Sequence, residues 1–363
     1  MHRIFYREKI MARMSYSVLL ALVLLTLVCG FSKAEDEPVE YDRTAVLAKL
    51  DEAAAQTDDP EVKRALKKMS ECAERGNKLL TLSGLRTLPP EIGQLTNLTG
   101  LTLHDNQFTT LPPEICQLAN LTHLGLKRNQ FTTFPPEIAK LTKLKHLDLG
   151  ENQLTTIPPE IGQLTTLTQL TFSGNDLSTL PPGIGQLTNL THLRLWDNQL
   201  STLPPEIGQL TKLTNLSLWD NQLPTLPPEI EQLTNLTGLS LHANQFTTLP
   251  PEIGKLTKLI YLGLGENQFT TLPPEIGQLA NLTWLYLEGN QLTTLPPEIG
   301  KLTKLTELQI EKNPLTDTDL EHLKSLKSLK RLNVRDTKVT KAGVEAFRKA
   351  LPNCEIKVPR QYP

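Results

Sequence analysis

Cysteine and aromatic residues are scarce in this chain of 363 residues, which has four cysteines and only 5% phenylalanine, tyrosine and tryptophan. The cysteines stand far apart, at 29, 72, 116 and 354, so neither a disulfide framework nor a zinc site is indicated. A bridge from Cys72 to Cys116 is the one pairing considered, with Cys116 otherwise expected to pack inside its turn. The chain also lacks a nucleophile elbow, a phosphate-binding loop and an HExxH pair, and its histidines have no carboxylate recurring at useful spacing. These absences argue against an enzyme, a metal site and a cofactor. The N-terminal apolar run, Val18 to Cys29, is too short to span a bilayer comfortably. With so few aromatics, the core must be built mainly from leucine.

What the chain does have is a repeat. Leu98 to Asn106 reads LTGLTLHDN, and its leucines and asparagine return every 23 residues. The asparagines fall at Asn106, Asn129, Asn152, Asn175, Asn198, Asn221, Asn244, Asn267, Asn290 and Asn313, without insertion or deletion. Such spacing marks a stacked array. Leu101 and Leu103 lie two apart, which is strand period, so each unit contributes a short strand. Strands stacked about 4.8 Å apart form a parallel sheet whose inner face the rest of each unit must cover. In the return leg, Pro112 and Pro113 remove two backbone donors and hold Leu111 extended, which predicts an irregular or short 3₁₀ segment. Each asparagine stands where the chain leaves its strand. Its amide can donate to and accept from backbone groups that would otherwise be buried unpaired.

The pattern LxxLxLxxN followed by LPPEIGQLTNL resembles the leucine-rich repeat, in the 23-residue variety found in bacterial Roco-type GTPases and in plant and animal Ras-group-related repeat proteins. The resemblance covers residues 79–335. It implies an α/β-type repeat solenoid, a horseshoe with a parallel concave sheet and short 3₁₀ turns on the convex side, and a tendency to recognise proteins on the concave strand face. Fold by itself fixes no partner.

Residues 1–34 read as a signal peptide, with Arg3, Arg7, Lys9 and Arg13 ahead of the apolar run and Ser32-Lys33-Ala34 as the cleavage site. An uncleaved anchor and lipidation at Cys29 are the alternatives. Residues 35–78 read as a helical N-terminal cap. One helix runs near Arg43 to Gln56, and a second is capped by Asp59, starts at Pro60 and stops near Gly76. Amphipathic helices there would cover the open end of the leucine core. After Asn313 the return leg becomes helical around Leu320, Leu323 and Leu326. Thr337 takes the asparagine position, and residues 336–363 form a C-terminal cap with a helix from Lys341 to Ala350 and a last strand at Glu355 to Val358.

Removal of residues 1–34 takes away five basic residues and one acidic, leaving a chain more acidic than the overall net charge of −2. Residues 321–363 are basic, as expected of solvated capping helices, and no nucleic-acid partner is expected. The recurrent glutamates Glu114, Glu137, Glu160, Glu206, Glu229, Glu252, Glu275 and Glu298 each follow a proline, where the dipole of a helical turn favours a negative side chain without any metal. Asn-x-Thr/Ser triplets at Asn97, Asn120, Asn189, Asn215, Asn235 and Asn281 fall out of the repeat consensus.

The variable residues point out of the strands, at positions three, five, seven and eight of each unit. Trp196 and Trp219 occupy position seven in adjacent units. Trp284 and Tyr261 occupy position three and Tyr286 position five. His192 and Arg194 share a strand with Trp196, Asp197 and Asp220 follow the tryptophans, and His104, His123, His146 and His242 also point this way. Rows of large aromatics can serve simply to cover their cross-strand neighbours. Exposed tryptophan beside charge is also the composition of a binding hot spot. The sequence therefore reads as an extracytoplasmic protein-interaction module, located in the periplasm, on the cell surface or secreted, with no membrane insertion after signal removal. The rival readings are a cytoplasmic scaffold or GTPase-pathway regulator and a glycan-binding cell-wall protein.

Overall fold

The computed structural model describes residues 41–358, so the expected signal peptide at 1–34 lies outside the described residues. Two compact units result, one running to Phe131 and including 135–144, the other comprising 132–134 and the chain from Lys145 on.

The first unit opens with two helices, α1 (Arg43–Gln56) and α2 (Pro60–Glu74). Asp42 caps α1 by accepting from Ala45 N, and Asp59 caps α2 by accepting from Glu61 N and Val62 N. Such side chains satisfy donors that have no partner inside the helix. Gly76, at φ 63°, ends the segment in the left-handed region that glycine tolerates. Leu66, Met69 and Cys72 are buried, whereas Val62 is only half-buried. Strands β1 (Leu79–Thr81), β2 (Gly100–Thr102) and β3 (His123–Gly125) pair in parallel, Leu80 beside Leu101 and Leu101 beside Leu124. The return legs are the 3₁₀ turns Pro90–Gln94, Pro113–Gln117 and Pro136–Lys140. Cys72 is free and buried, so the Cys72–Cys116 bridge does not form. Cys116 is half-buried on its turn rather than enclosed by it.

The second unit repeats the scheme. Its strands are β4 (His146–Asp148), β5 (Gln169–Thr171), β6 (His192–Arg194), β7 (Asn215–Ser217), β8 (Gly238–Ser240), β9 (Tyr261–Gly263), β10 (Trp284–Tyr286), β11 (Glu307–Gln309), β12 (Arg331–Asn333) and β13 (Glu355–Lys357). They pair in chain order, all parallel, with the central leucine of each strand beside the next as far as β12 and Leu332 beside Ile356 on β13. The core lies between these leucines and the isoleucines of the 3₁₀ turns, such as Ile207, Ile230 and Ile253, all fully buried. Phe246 and Phe269 stack within it, with ring centroids 6.1 Å apart.

Toward the end, helix α3 (Asp317–Leu323) replaces the 3₁₀ turn, with Thr316 and Asp319 forming a capping box. It stops before Leu326, so it is shorter than the leucine spacing implied. Helix α4 (Lys341–Ala350) buries Val344 and Phe347 as the sequence indicates. Thr337 stands in for asparagine, its hydroxyl donating to Val334 O at 2.7 Å and accepting from Val339 N at 3.3 Å.

Candidate functional site

The asparagine column holds the strand exits. Asn198 is 8% exposed. Its amide donates to the carbonyls of Phe172 at 3.0 Å, Leu195 at 3.1 Å and Trp196 at 3.2 Å, while its oxygen accepts from Leu177 N at 3.1 Å. The same set recurs at Asn221, Asn244, Asn267, Asn290 and Asn313. Position eight, just before each asparagine, lies at positive φ almost throughout: Asp197 at 55°, Asp220 at 57°, Glu266 at 50°, Lys312 at 53°, with glycine at 174 and 289. Aspartate and glycine tolerate this region better than most residues, so Asp197 and Asp220 have a backbone reason to be there.

On the face these exits support, Trp196 and Trp219 stack with centroids 4.8 Å apart and planes within 4°. That separation is the spacing of neighbouring strands, so the rings stand largely on edge and cover each other's facing surfaces. Both are half-buried, with Asp197 and Asp220 exposed beside them. Tyr261 and Tyr286 meet edge to face at 5.5 Å, and Trp284, at 37%, is the most exposed tryptophan. Trp284 lies directly across from Tyr261 on one side and Glu307 on the other. The structure therefore separates the residues singled out from the sequence into two groups on one strand face. Trp196, Trp219, His192, Arg194, Asp197 and Asp220 lie on β6 and β7 or at their exits; Tyr261, Trp284 and Tyr286 lie on β9 and β10.

Glycine at outward positions lets neighbouring side chains lie flat. A Cβ on Gly263 would meet Tyr261 Oη at 2.6 Å, and one on Gly238 would meet Asn215 Nδ2 at 2.7 Å. At Gly265 a Cβ would fall within 2.6 Å of both His242 Nδ1 and Glu288 Oε1, which face each other at 3.6 Å across that strand. Side chains seated in this way are ordered in advance, which reduces the entropy lost on binding.

A network not anticipated from the sequence joins β10, β11 and β12. Glu307 is 9% exposed, and its carboxylate accepts from Tyr286 Oη at 3.3 Å, Gln309 Nε2 at 2.8 Å and Arg331 Nε at 2.8 Å, with Arg331 also donating through a terminal nitrogen. Burial alone would raise the Glu307 carboxyl, but these donors outweigh it and hold it below its ordinary value. Burial raises the Tyr261 and Tyr286 hydroxyls. Burial, followed by the charge of Arg194, lowers His192, which keeps that ring neutral at pH 7. The only sequence signal for the network was opposite charge at position three of adjacent units.

The Asn-x-Thr triplets have a structural account. Asn189, Asn235 and Asn281 donate to the carbonyls of Thr165, Thr211 and Thr257 and accept from Lys212, Lys258 and Lys304 at 2.6–2.7 Å. Among the described residues no group of three or more potential metal ligands occurs, and no helix is long and apolar enough to cross a membrane.

Comparison with known proteins agrees with this architecture. A profile of the leucine-rich repeat region matches residues 183–260 and 251–349, and leucine-rich repeat profiles match 119–177 and 97–118. A leucine-rich-repeat protein of Leptospira interrogans is 35% identical at a TM-score of 0.59, with 79% of this chain and 91% of that one covered. The chain belongs to the leucine-rich-repeat family. A plant peptide hormone receptor, RGFR1, solved in complex with RGF2, is 26% identical at a TM-score of 0.61; the alignment covers 77% of this chain and 53% of the receptor. An internalin of Listeria monocytogenes, at 22% identity and a TM-score of 0.63 over 88% of this chain and 94% of its own, shares the fold. No curated protein sequence matches the chain significantly.

Proposed function

We propose that the protein is an exported, non-enzymatic interaction module that recognises a protein through the outward strand face of β6–β10. The observation that carries this reading is the stacked, half-exposed Trp196–Trp219 pair, set beside exposed aspartates on strands whose leucines already fill the core. The plant receptor is related in fold and was solved with a peptide hormone, which supports a polypeptide ligand. Export rests on the N-terminal charge and apolar pattern.

The orientation of the indoles favours protein over glycan. A sugar ring stacks on an exposed aromatic face, but one face of each of Trp196 and Trp219 is covered by the other ring. Trp284 is the aromatic better exposed for such stacking, so a glycan remains the second reading. Parallel capture on immobilised protein, with proteinaceous and polysaccharide extracts of the cell envelope offered separately, decides between them. Retention of a defined protein, lost in a W196A/W219A variant, is expected. Retention of polysaccharide alone, lost in W284A, would replace this reading with the glycan one.

A further inference from the structure

The charge on this face is unevenly distributed. Positions seven and eight from β6 to β11 carry Asp197, Asp220, Glu266, Glu288 and Glu311, along the same edge as Trp196 and Trp219. Compensation within the chain is partial: Lys312 Nζ lies 3.5 Å from Glu266, and His242 lies 3.6 Å from Glu288. Glu288 and Glu311 each keep one carboxylate oxygen enclosed and without a hydrogen-bond partner. An enclosed carboxylate oxygen without a donor is costly, and a partly desolvated carboxylate attracts a cation more strongly than one in water. Burial raises both carboxyls. Each residue's own backbone hydrogen bond opposes this most, together with His242 and Lys312 at Glu288 and Lys357 and Lys312 at Glu311, while a neighbouring carboxylate adds to it, Glu266 at the first and Glu288 at the second.

We propose that this edge takes an extended, lysine- or arginine-bearing segment of the partner protein, its cations along the carboxylate row and its side-chain stems against the indole edges of Trp196 and Trp219. Complementary charge selects the segment and speeds encounter, while the aromatic pair supplies the apolar contact. The proposal rests on the protein-recognition reading and narrows it to basic ligands.

Selection of a random peptide library displayed on phage against the full chain, with counter-selection on W196A/W219A, tests it. The expected outcome is enrichment of peptides rich in lysine and arginine. Their affinity should fall about tenfold in E288Q/E311Q and in D197N/D220N, each checked by melting, and stay unchanged in E206Q/E252Q, which alters the 3₁₀ turns instead. Enriched peptides that are neutral or acidic, or equal losses in the strand-face and turn variants, would overturn the charge assignment while leaving protein recognition standing. Failure to enrich any peptide would count against both.

Discussion

At the residue scale, the asparagine column and the enclosed glutamates make opposite contributions. Asn198→Ala would leave the amide of Leu177 without a partner in a buried setting, while the carbonyls of Phe172 and Leu195 would each lose one of two donors and keep Asn175 and Asn221. A loss of about 1–3 kcal/mol in denaturant unfolding is expected, since the penalty is mainly that of one buried, stranded amide. Asn313, 2% exposed and with a full set of bonds, should cost as much locally despite its place near the altered end. Glu311 behaves differently. Burial raises its carboxyl above the unfolded value, so the native chain binds that proton more tightly than the unfolded chain does. Stability then falls as pH rises through that window, and at neutral pH the ionised group is a cost. Glu311→Gln is expected to raise Tm at pH 7, with the difference vanishing once pH drops below the ordinary carboxylate range. A Tm difference that stays constant with pH would contradict it. The asparagines were legible in the sequence because ten of them recur in register. Glu311 was not, because one acidic residue at an outward position looks solvated until its neighbours are placed.

At the element scale, the 3₁₀ turns explain where the repeat tolerates change. Gly208 packs so closely on the next turn that a Cβ would lie 2.6 Å from Glu229 O and 2.9 Å from Glu229 Cβ. Gly208→Ala should therefore cost about 1–3 kcal/mol, as overpacking does elsewhere, read as a drop in the urea midpoint. Glu231 occupies the equivalent position in the following turn, and there the turns Pro228–Gln232 and Pro251–Lys255 sit less tightly together. Substitution of Glu231 by alanine should leave the midpoint nearly unchanged. The double proline made these turns readable in advance. The limits of α2 could also be read, from Asp59, Pro60 and Gly76 at its ends; Asp42 and Thr340 cap α1 and α4 in the structure. The shortness of α3 could not be read, because Leu326 keeps helical spacing while serving a different turn.

At the scale of the whole molecule, a uniform scaffold of leucine and asparagine carries a surface that varies from strand to strand. Alternation along the strands told which residues face outward, and thus where Trp196, Trp219, Tyr261, Trp284 and Tyr286 lie. It did not tell that Glu307 would be nearly enclosed by Tyr286, Gln309 and Arg331, since that depends on long side chains reaching across adjacent strands. The stacking of the two tryptophans could be read, since the same position in adjacent units puts them one strand spacing apart, about 5 Å, where indoles can stack. The central claim is that this pair serves recognition rather than sheet packing. One double variant, W196A/W219A, measured for both partner affinity and Tm, tests it most directly. The account predicts a loss of binding on the order of 2 kcal/mol or more, with Tm nearly unchanged. Retained affinity with a clearly lowered Tm would contradict it.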